Sequence, residues 1–145
     1  MILFKPMSNA VEWSWFKHRT KAIGCEDSQG IVAFDGDKIV AVAVFDTWTA
    51  DSCQMHFTVA DPRVYKKGFL TEIAHHLFDV CSRSRVFGLV ASNHPRVLKL
   101  YEKMGFKEVA RVPHGIKQDI DCVIICLDKE DCRWYKPERA VEKAA

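Results

Sequence analysis

The sequence predicts an α/β fold in one domain, on three observations. Segments with helical spacing of apolar residues alternate along the chain with shorter β-rich runs. Two of those runs, IVAF and IVAVAVF, flank an Asp35-Gly36 turn and read as a hairpin. In the middle, a strand, a helix and a second strand follow one another closely enough for a βαβ unit, which demands a parallel pair in an otherwise mixed sheet.

The elements follow in order. Asn9 to Ile23 hold Trp13, Phe16 and Ile23 among Lys17, Arg19 and Lys21, an amphipathic helix started by Ser8 and stopped by Gly24. The hairpin begins at Gly30. A third run, Cys53 to Ala60, alternates Cys53, Met55, Phe57 and Val59 on one face with Gln54, His56, Thr58 and Ala60 on the other, and ends at Asp61-Pro62. After a basic loop, RVYKKG, a helix from Phe69 to Cys81 carries a broad apolar stripe and a polar face of Glu72, His75, His76 and Asp79. Val86 to Ala91 is short and almost wholly apolar, the composition of a strand buried on both faces. A helix from Pro95 to Met104 and strands over Phe106 to Val112 and Cys122 to Leu127 complete the order.

With 145 residues, 48% hydrophobic and 28% charged, the chain supports one core, so residues 1–136 are expected to form one domain and 137–145 a charged, flexible tail. A formal charge of +2 and no run of five basic residues argue against a nucleic-acid surface. The opening MILF is broken by Lys5 and Pro6, unlike a signal peptide, and no apolar run approaches the roughly 20 residues that span a bilayer. A cytoplasmic protein is the expectation. Cys25, Cys53, Cys81, Cys122, Cys126 and Cys132 form no CxxC pair and read as buried thiols in a reducing compartment, without a metal. His75 and His76, adjacent on a helix, project about 100° apart and read as a solvated face rather than a metal site. Trp13, Trp15, Trp48 and Trp134 suit either half-buried anchors or the walls of a substrate cleft.

Ser92 to Phe106, SNHPRVLKLYEKMGF, says most about function. Asn93 and His94 can cap the helix start, Pro95 suits the first turn and Gly105 the left-handed end, while Val97, Leu98, Leu100 and Tyr101 form an apolar stripe. The LYEKMGF pattern resembles the GNAT family, the GCN5-related N-acetyltransferases, and the element order is similar to theirs from about Ile31 to Leu127. That resemblance implies a mixed, mostly antiparallel central sheet with a βαβ cofactor-binding core and helices on both faces. It also implies acetyl-CoA as co-substrate and an amine, on a small molecule or a protein, as acceptor.

In GNAT proteins the loop after the fourth strand carries Arg/Gln-x-x-Gly-x-Gly/Ala, whose amides hold the pyrophosphate of coenzyme A. The matching residues here are Tyr65, Lys66, Lys67, Gly68, Phe69, Leu70 and Thr71, with a single glycine. Lys66 and Lys67 add charge, Gly68 allows close backbone approach, Thr71 can donate from the first turn, and Phe69 stands where other members keep a smaller residue. A short subset of the family, including proteins encoded by bacteriophages, has this aromatic residue after a weak phosphate loop. Read without the resemblance, the lysines are solvated charges and Gly68 a plain turn.

The resemblance gives Tyr101 the protonation of the departing thiolate; the alternative is a tyrosine packed by its ring. It assigns carbonyl polarisation to backbone amides near Phe57, Thr58 and Val59. Asn93 corresponds to a family asparagine but lies eight residues before the tyrosine rather than seven, and it also fits a plain cap. Many members supply a strand glutamate as base, and Cys53 to Ala60 contains none. His56 is the substitute, against the reading of a structural histidine, with Asp46 and Asp61 weaker candidates. The expected function is direct acetyl transfer to an amine. The alternative is a GNAT-fold protein of weak or no activity that acts by binding another protein.

Overall fold

The structure, a computed structural model, describes residues 1–22 and 24–137. Its strands are β1 (Ile2–Pro6), β2 (Gln29–Asp35), β3 (Lys38–Asp46), β4 (Ser52–Val59), β5 (Arg85–Ala91), β6 (Lys107–Lys117) and β7 (Ile120–Asp128). Among the described residues they form one sheet in the order β1-β2-β3-β4-β5-β7-β6. Every neighbouring pair is antiparallel except β4 with β5, as a βαβ crossover requires. The helices are α1 (Ala10–Thr20), α2 (Arg63–Lys66), α3 (Phe69–His75), which runs on into a π-helical turn at His76–Val80, and α4 (Pro95–Met104).

Alternation along the strands sorts the core into two layers. One face of the sheet packs Ala41, Ala43, Phe45, Cys53, Met55, Val86, Val90, Val123 and Ile125 against Phe69, Leu70, Ile73, Leu77, Tyr101 and Met104 of α3 and α4. The other packs Val32, Val42 and Val44 against Phe16 of α1, flanked by the half-buried Trp13 and Trp15. Trp48 and Trp134 are half-buried anchors on the first layer.

Several expectations need correction. β1 was not legible: Lys5 and Pro6 break its apolar run, yet it pairs along its length with β2 as an edge strand, a position that tolerates proline at its end. Asn9, not Ser8, caps α1, in a capping box in which Asn9 Oδ1 accepts from the Glu12 amide and Glu12 accepts from Asn9. Lys21, in the left-handed region at φ 60°, ends that helix before Gly24, and Ile23 lies outside the described residues. Four of the six residues of the basic loop form the short helix α2. Val86 to Ala91 is not buried on both faces: Val86, Gly88 and Val90 point inward while Leu89 is 50% exposed. The last two strands are longer than expected and continue into a projecting hairpin. The tail beyond Pro137 lies outside the described residues.

The histidines also differ from the expected solvated face. His75 pairs with Asp79 at 3.0 Å, and Asp79 in turn accepts from the Tyr135 hydroxyl at 2.7 Å. His76 stacks on Phe45 with ring centroids 5.1 Å apart, and burial lowers its pKa. Of the cysteines, Cys53 and Cys122 are buried, Cys25 is exposed and the other three are half-buried; all six are free. Among the described residues no group of three or more metal-ligating side chains converges. Among the described residues no helix is long and apolar enough to cross a membrane.

Gly105 has a steric reason to be glycine. It ends α4 at φ 107°, and a Cβ there would collide with the carbonyl oxygen of Asp131. The turn therefore lets α4 return directly into β6, which fixes Tyr101 against the sheet. Among the described residues no side chain caps the start of α4, contrary to the expectation for Asn93 and His94; His94 is the N-cap position and contributes its backbone carbonyl to Leu98. Asn93 is exposed in the preceding turn.

Candidate active site

The site is built around the point where β4 and β5 part. The two strands pair only over Ser52, Cys53 and Gln54 against Arg85, Val86 and Phe87. Beyond Gln54, β4 keeps its antiparallel partner β3 on one side and has no strand on the other among the described residues. The amide of Ala60 donates to the carbonyl of Val40 across the β3 side. Since the directions of backbone amides alternate along a strand, those of His56 and Thr58 also turn toward β3. Those of Phe57 and Val59 then face the gap. Phe57, Thr58 and Val59 were expected to supply the carbonyl contact, and this register gives Phe57 and Val59 that position while Thr58 faces away.

Side-chain alternation distributes the chemistry over both faces of β4. On the α1 face, His56 Nε2 lies 3.0 and 3.2 Å from the two carboxylate oxygens of Asp46 on β3. An ionised carboxylate can only accept, so Nε2 carries a proton, and in the neutral imidazole Nδ1 keeps the lone pair. The Phe16 ring stands against the imidazole with centroids 6.3 Å apart. Asp46, weighed in the sequence only as a weak base, is thus the group that orients His56. Sequence reading missed this pairing because it depends on the β3–β4 register, in which the two residues are diagonal neighbours.

On the opposite face, Phe57 meets the ring of Tyr101 edge-on at 5.3 Å, and Phe106 closes the far side at 4.9 Å. Tyr101 is 7% exposed, and burial pushes its phenol well above the ordinary value, with the neighbouring Tyr65 adding to the shift. Among the described residues its hydroxyl has no hydrogen-bond partner, although it is not one of the fully buried orphan atoms. The side chain borders a cavity of about 380 Å³ shared with Leu98, Glu102, Lys107 and Val123.

The expected cofactor loop lies at the carboxyl end of β4. Gly68 adopts φ 94°, and nothing lies within 4 Å of the place a Cβ would take, so the backbone is open to close approach. The amides of Lys67 and Gly68 are turned back onto Val64 and Tyr65, and the first amide bonded within α3 is that of Glu72, to Gly68. The amides of Phe69, Leu70 and Thr71 are therefore the free ones of the first turn. Lys66 and Lys67 are exposed beside them. Phe69 does not crowd this loop: its side chain is wholly buried, stacked on Phe4 and edge-on to Phe57. Leu70 and Thr71 are likewise buried, so this stretch meets solvent by its backbone. Arg63 is held by Asp61 and Asp35, both at 2.6 Å, which ties α2 to the β2–β3 turn.

A gap with outward amides on one wall and a helix start flanked by lysines is a fitting cradle for a nucleotide-linked thioester. A family model described as the acetyltransferase (GNAT) family matches residues 4–106. The chain belongs to the GNAT family of acetyltransferases. Acetyltransferase is the enzyme class that this membership assigns. The match ends at Phe106, so β6 and β7 lie beyond it.

Several solved GNAT structures share the fold. One described as a GNAT-family acetyltransferase of Desulfovibrio desulfuricans superposes with a TM-score of 0.71 at 12% identity, covering 89% of this chain and 99% of that one. A chimera of the Vibrio cholerae spermidine N-acetyltransferase with hSSAT gives 0.69 at 12% identity, over 89% and 96%. The Vibrio cholerae enzyme in complex with CoA and spermine gives 0.60 at 16% identity, over 83% and 75%. No curated protein matches the sequence.

Proposed function

We propose that the chain transfers the acetyl group of acetyl-CoA directly to a neutral amine, with His56 as base and Tyr101 at the departing sulfur. The observation that carries this reading is the His56–Asp46 pair beside the gap, with Tyr101 behind the same stretch of strand. The thioester lies in the gap between β4 and β5, its carbonyl oxygen accepting from the amide of Phe57 or Val59. The amine nitrogen attacks the carbonyl carbon from the His56 face. As the C–N bond forms and the C–S bond breaks, the amine's surplus proton passes to Nδ1 of His56, and Asp46 stabilises the resulting imidazolium.

Burial changes the part expected of Tyr101. A phenol with so high a pKa is a poor proton donor but a permanent hydrogen-bond donor, and the hydroxyl steadies the thiolate as its charge develops. The thiolate leaves with the electron pair of the C–S bond and is protonated from water. Phe69, Leu70 and Thr71 bind phosphate through their amides, aided by Lys66 and Lys67, and Asn93, exposed in the turn after β5, is assigned a further contact to the same ligand.

Calorimetric titration with acetyl-CoA, followed by acetylation rates for His56→Gln and Tyr101→Phe, tests this. Saturable micromolar binding is expected, with about 10²-fold or greater loss of kcat in His56→Gln and unchanged acetyl-CoA affinity in both variants. No binding at millimolar acetyl-CoA would reject the reading in favour of a GNAT-fold binding protein. Full activity in Tyr101→Phe would remove the hydroxyl from the chemistry.

A further inference from the structure

The face of the sheet that carries His56 does not end at the gap. Gln54 pairs with Phe87 in parallel register, so the His56 side of β4 is continuous with the side of β5 that presents Phe87, Leu89 and Ala91. Antiparallel pairing extends it: Leu89 lies opposite Ile124 of β7, and Ile124 opposite Ala110 of β6. On the β2–β4 half this face is covered by α1 through Phe16. On the β5–β7–β6 half no helix packs on it among the described residues, and it stays open, with Leu89 50% exposed and Val112 46%. A solvent-facing strand surface ordinarily alternates to polar side chains; this one runs apolar from β5 across β7 to β6.

The charges on this face are few and already matched. Asp46 holds His56, and Asp128 pairs with Arg85 at 2.9 Å. Arg19 stands at the rim, donating to Thr58 Oγ1 at 2.9 Å, and Lys107, opposite Cys126, pairs with Asp131 at 3.6 Å. Among the described residues the strands therefore offer no unmatched carboxylate here for a second ammonium group, and Arg19 at the rim repels one. We infer that the acceptor is a monoamine with an apolar body, its nitrogen at His56 and its hydrocarbon or aromatic part on Phe87, Leu89 and Ile124. This deepens the acetyl-transfer reading and rests on it. It distinguishes the chain from the Vibrio cholerae enzymes of the same fold, which are named for polyamines.

The test compares n-butylamine, n-hexylamine, n-octylamine, 2-phenylethylamine, spermidine and a lysine-containing peptide on the full chain, by direct binding and by acetylation rate. Affinity and kcat/KM are expected to rise about twofold to fourfold per added methylene, with 2-phenylethylamine at least about tenfold above spermidine. Leu89→Glu should flatten the alkylamine series and improve spermidine; its thermal melt verifies that it is folded, and Leu89→Ala, which adds no charge, should flatten the series on its own. A flat series in the wild type, or preference for spermidine or the peptide, would overturn the inference whatever the turnover. Chain-length-dependent binding without acetylation of any amine would instead reject the reaction and leave the apolar amine site standing.

Discussion

The two halves of the sheet are enclosed differently. β2, β3 and β4 are covered on both faces, by α1 on one and α3 on the other, and β3 is buried from Ile39 through Asp46. Among the described residues β5 and β7 are covered on one face only, and β6 is exposed along its whole length. In the closed half an apolar side chain contributes to stability; in the open half the same kind of side chain has water beside it and is available to a ligand. The candidate reaction site stands on the border, where the two halves separate between β4 and β5.

This contrast breaks down if substitutions in the two halves cost the same stability, and denaturant unfolding measures that directly. Phe69→Ala empties a wholly buried site between β1 and β4, and about 3–5 kcal/mol of stability should be lost. Gly105→Ala combines the left-handed backbone with the collision against Asp131, so a loss of about 2 kcal/mol or more is expected, with Tyr101 displaced in any variant that still folds.

Glu12→Gln sharpens the comparison at the closed end. Burial raises the Glu12 pKa, but Lys5 at 2.6 Å and the amides of Ser8 and Asn9 outweigh it, so the folded carboxyl sits below its ordinary value. A depressed folded pKa means that this stabilisation is complete above the unfolded carboxyl value of about 4.3 and is lost as pH falls through the lower folded value. The variant should be about 1 kcal/mol less stable at pH 7 and show a shallower acid limb; an unchanged pH profile would remove Glu12 as a contributor. Smallest of all, Leu89→Ser should move stability by no more than about 0.5 kcal/mol while weakening the acceptor. A loss near that of Phe69→Ala would mean that Leu89 is core and the open face is closed.

Much of the fold was legible because local pattern and tertiary role agree. The alternation of Cys53 and Met55 against Gln54 and His56, the turn at Asp35-Gly36 and the Gly105 stop each describe the structure directly. β1 was hidden because its pairing comes from β2, some 25 residues on, and because Lys5 and Pro6 interrupt its apolar run. Val86 to Ala91 misled because an apolar run has the same composition whether both faces are buried or one is open; only the lack of a covering helix among the described residues separates the two. For the site, a family pattern could point to Tyr101 and the Gly68 loop. The pairing of His56 with Asp46 and the burial of Phe69 depend on register and packing that no linear spacing records.

The π-helical turn at His76–Val80 bears on how this crossover keeps its apolar face on the sheet. The buried apolar residues of α3 and its continuation come in pairs, Phe69 and Leu70, Ile73 and Ala74, Leu77 and Phe78, repeating every four positions. Four residues of ordinary α-helix overshoot a full turn by about 40°, so a four-residue repeat would rotate steadily off the sheet. The wider turn absorbs that rotation and keeps the last pair facing inward. The segment thus keeps Leu77 and Phe78 in phase with the sheet, which a regular helix of the same residues would not do.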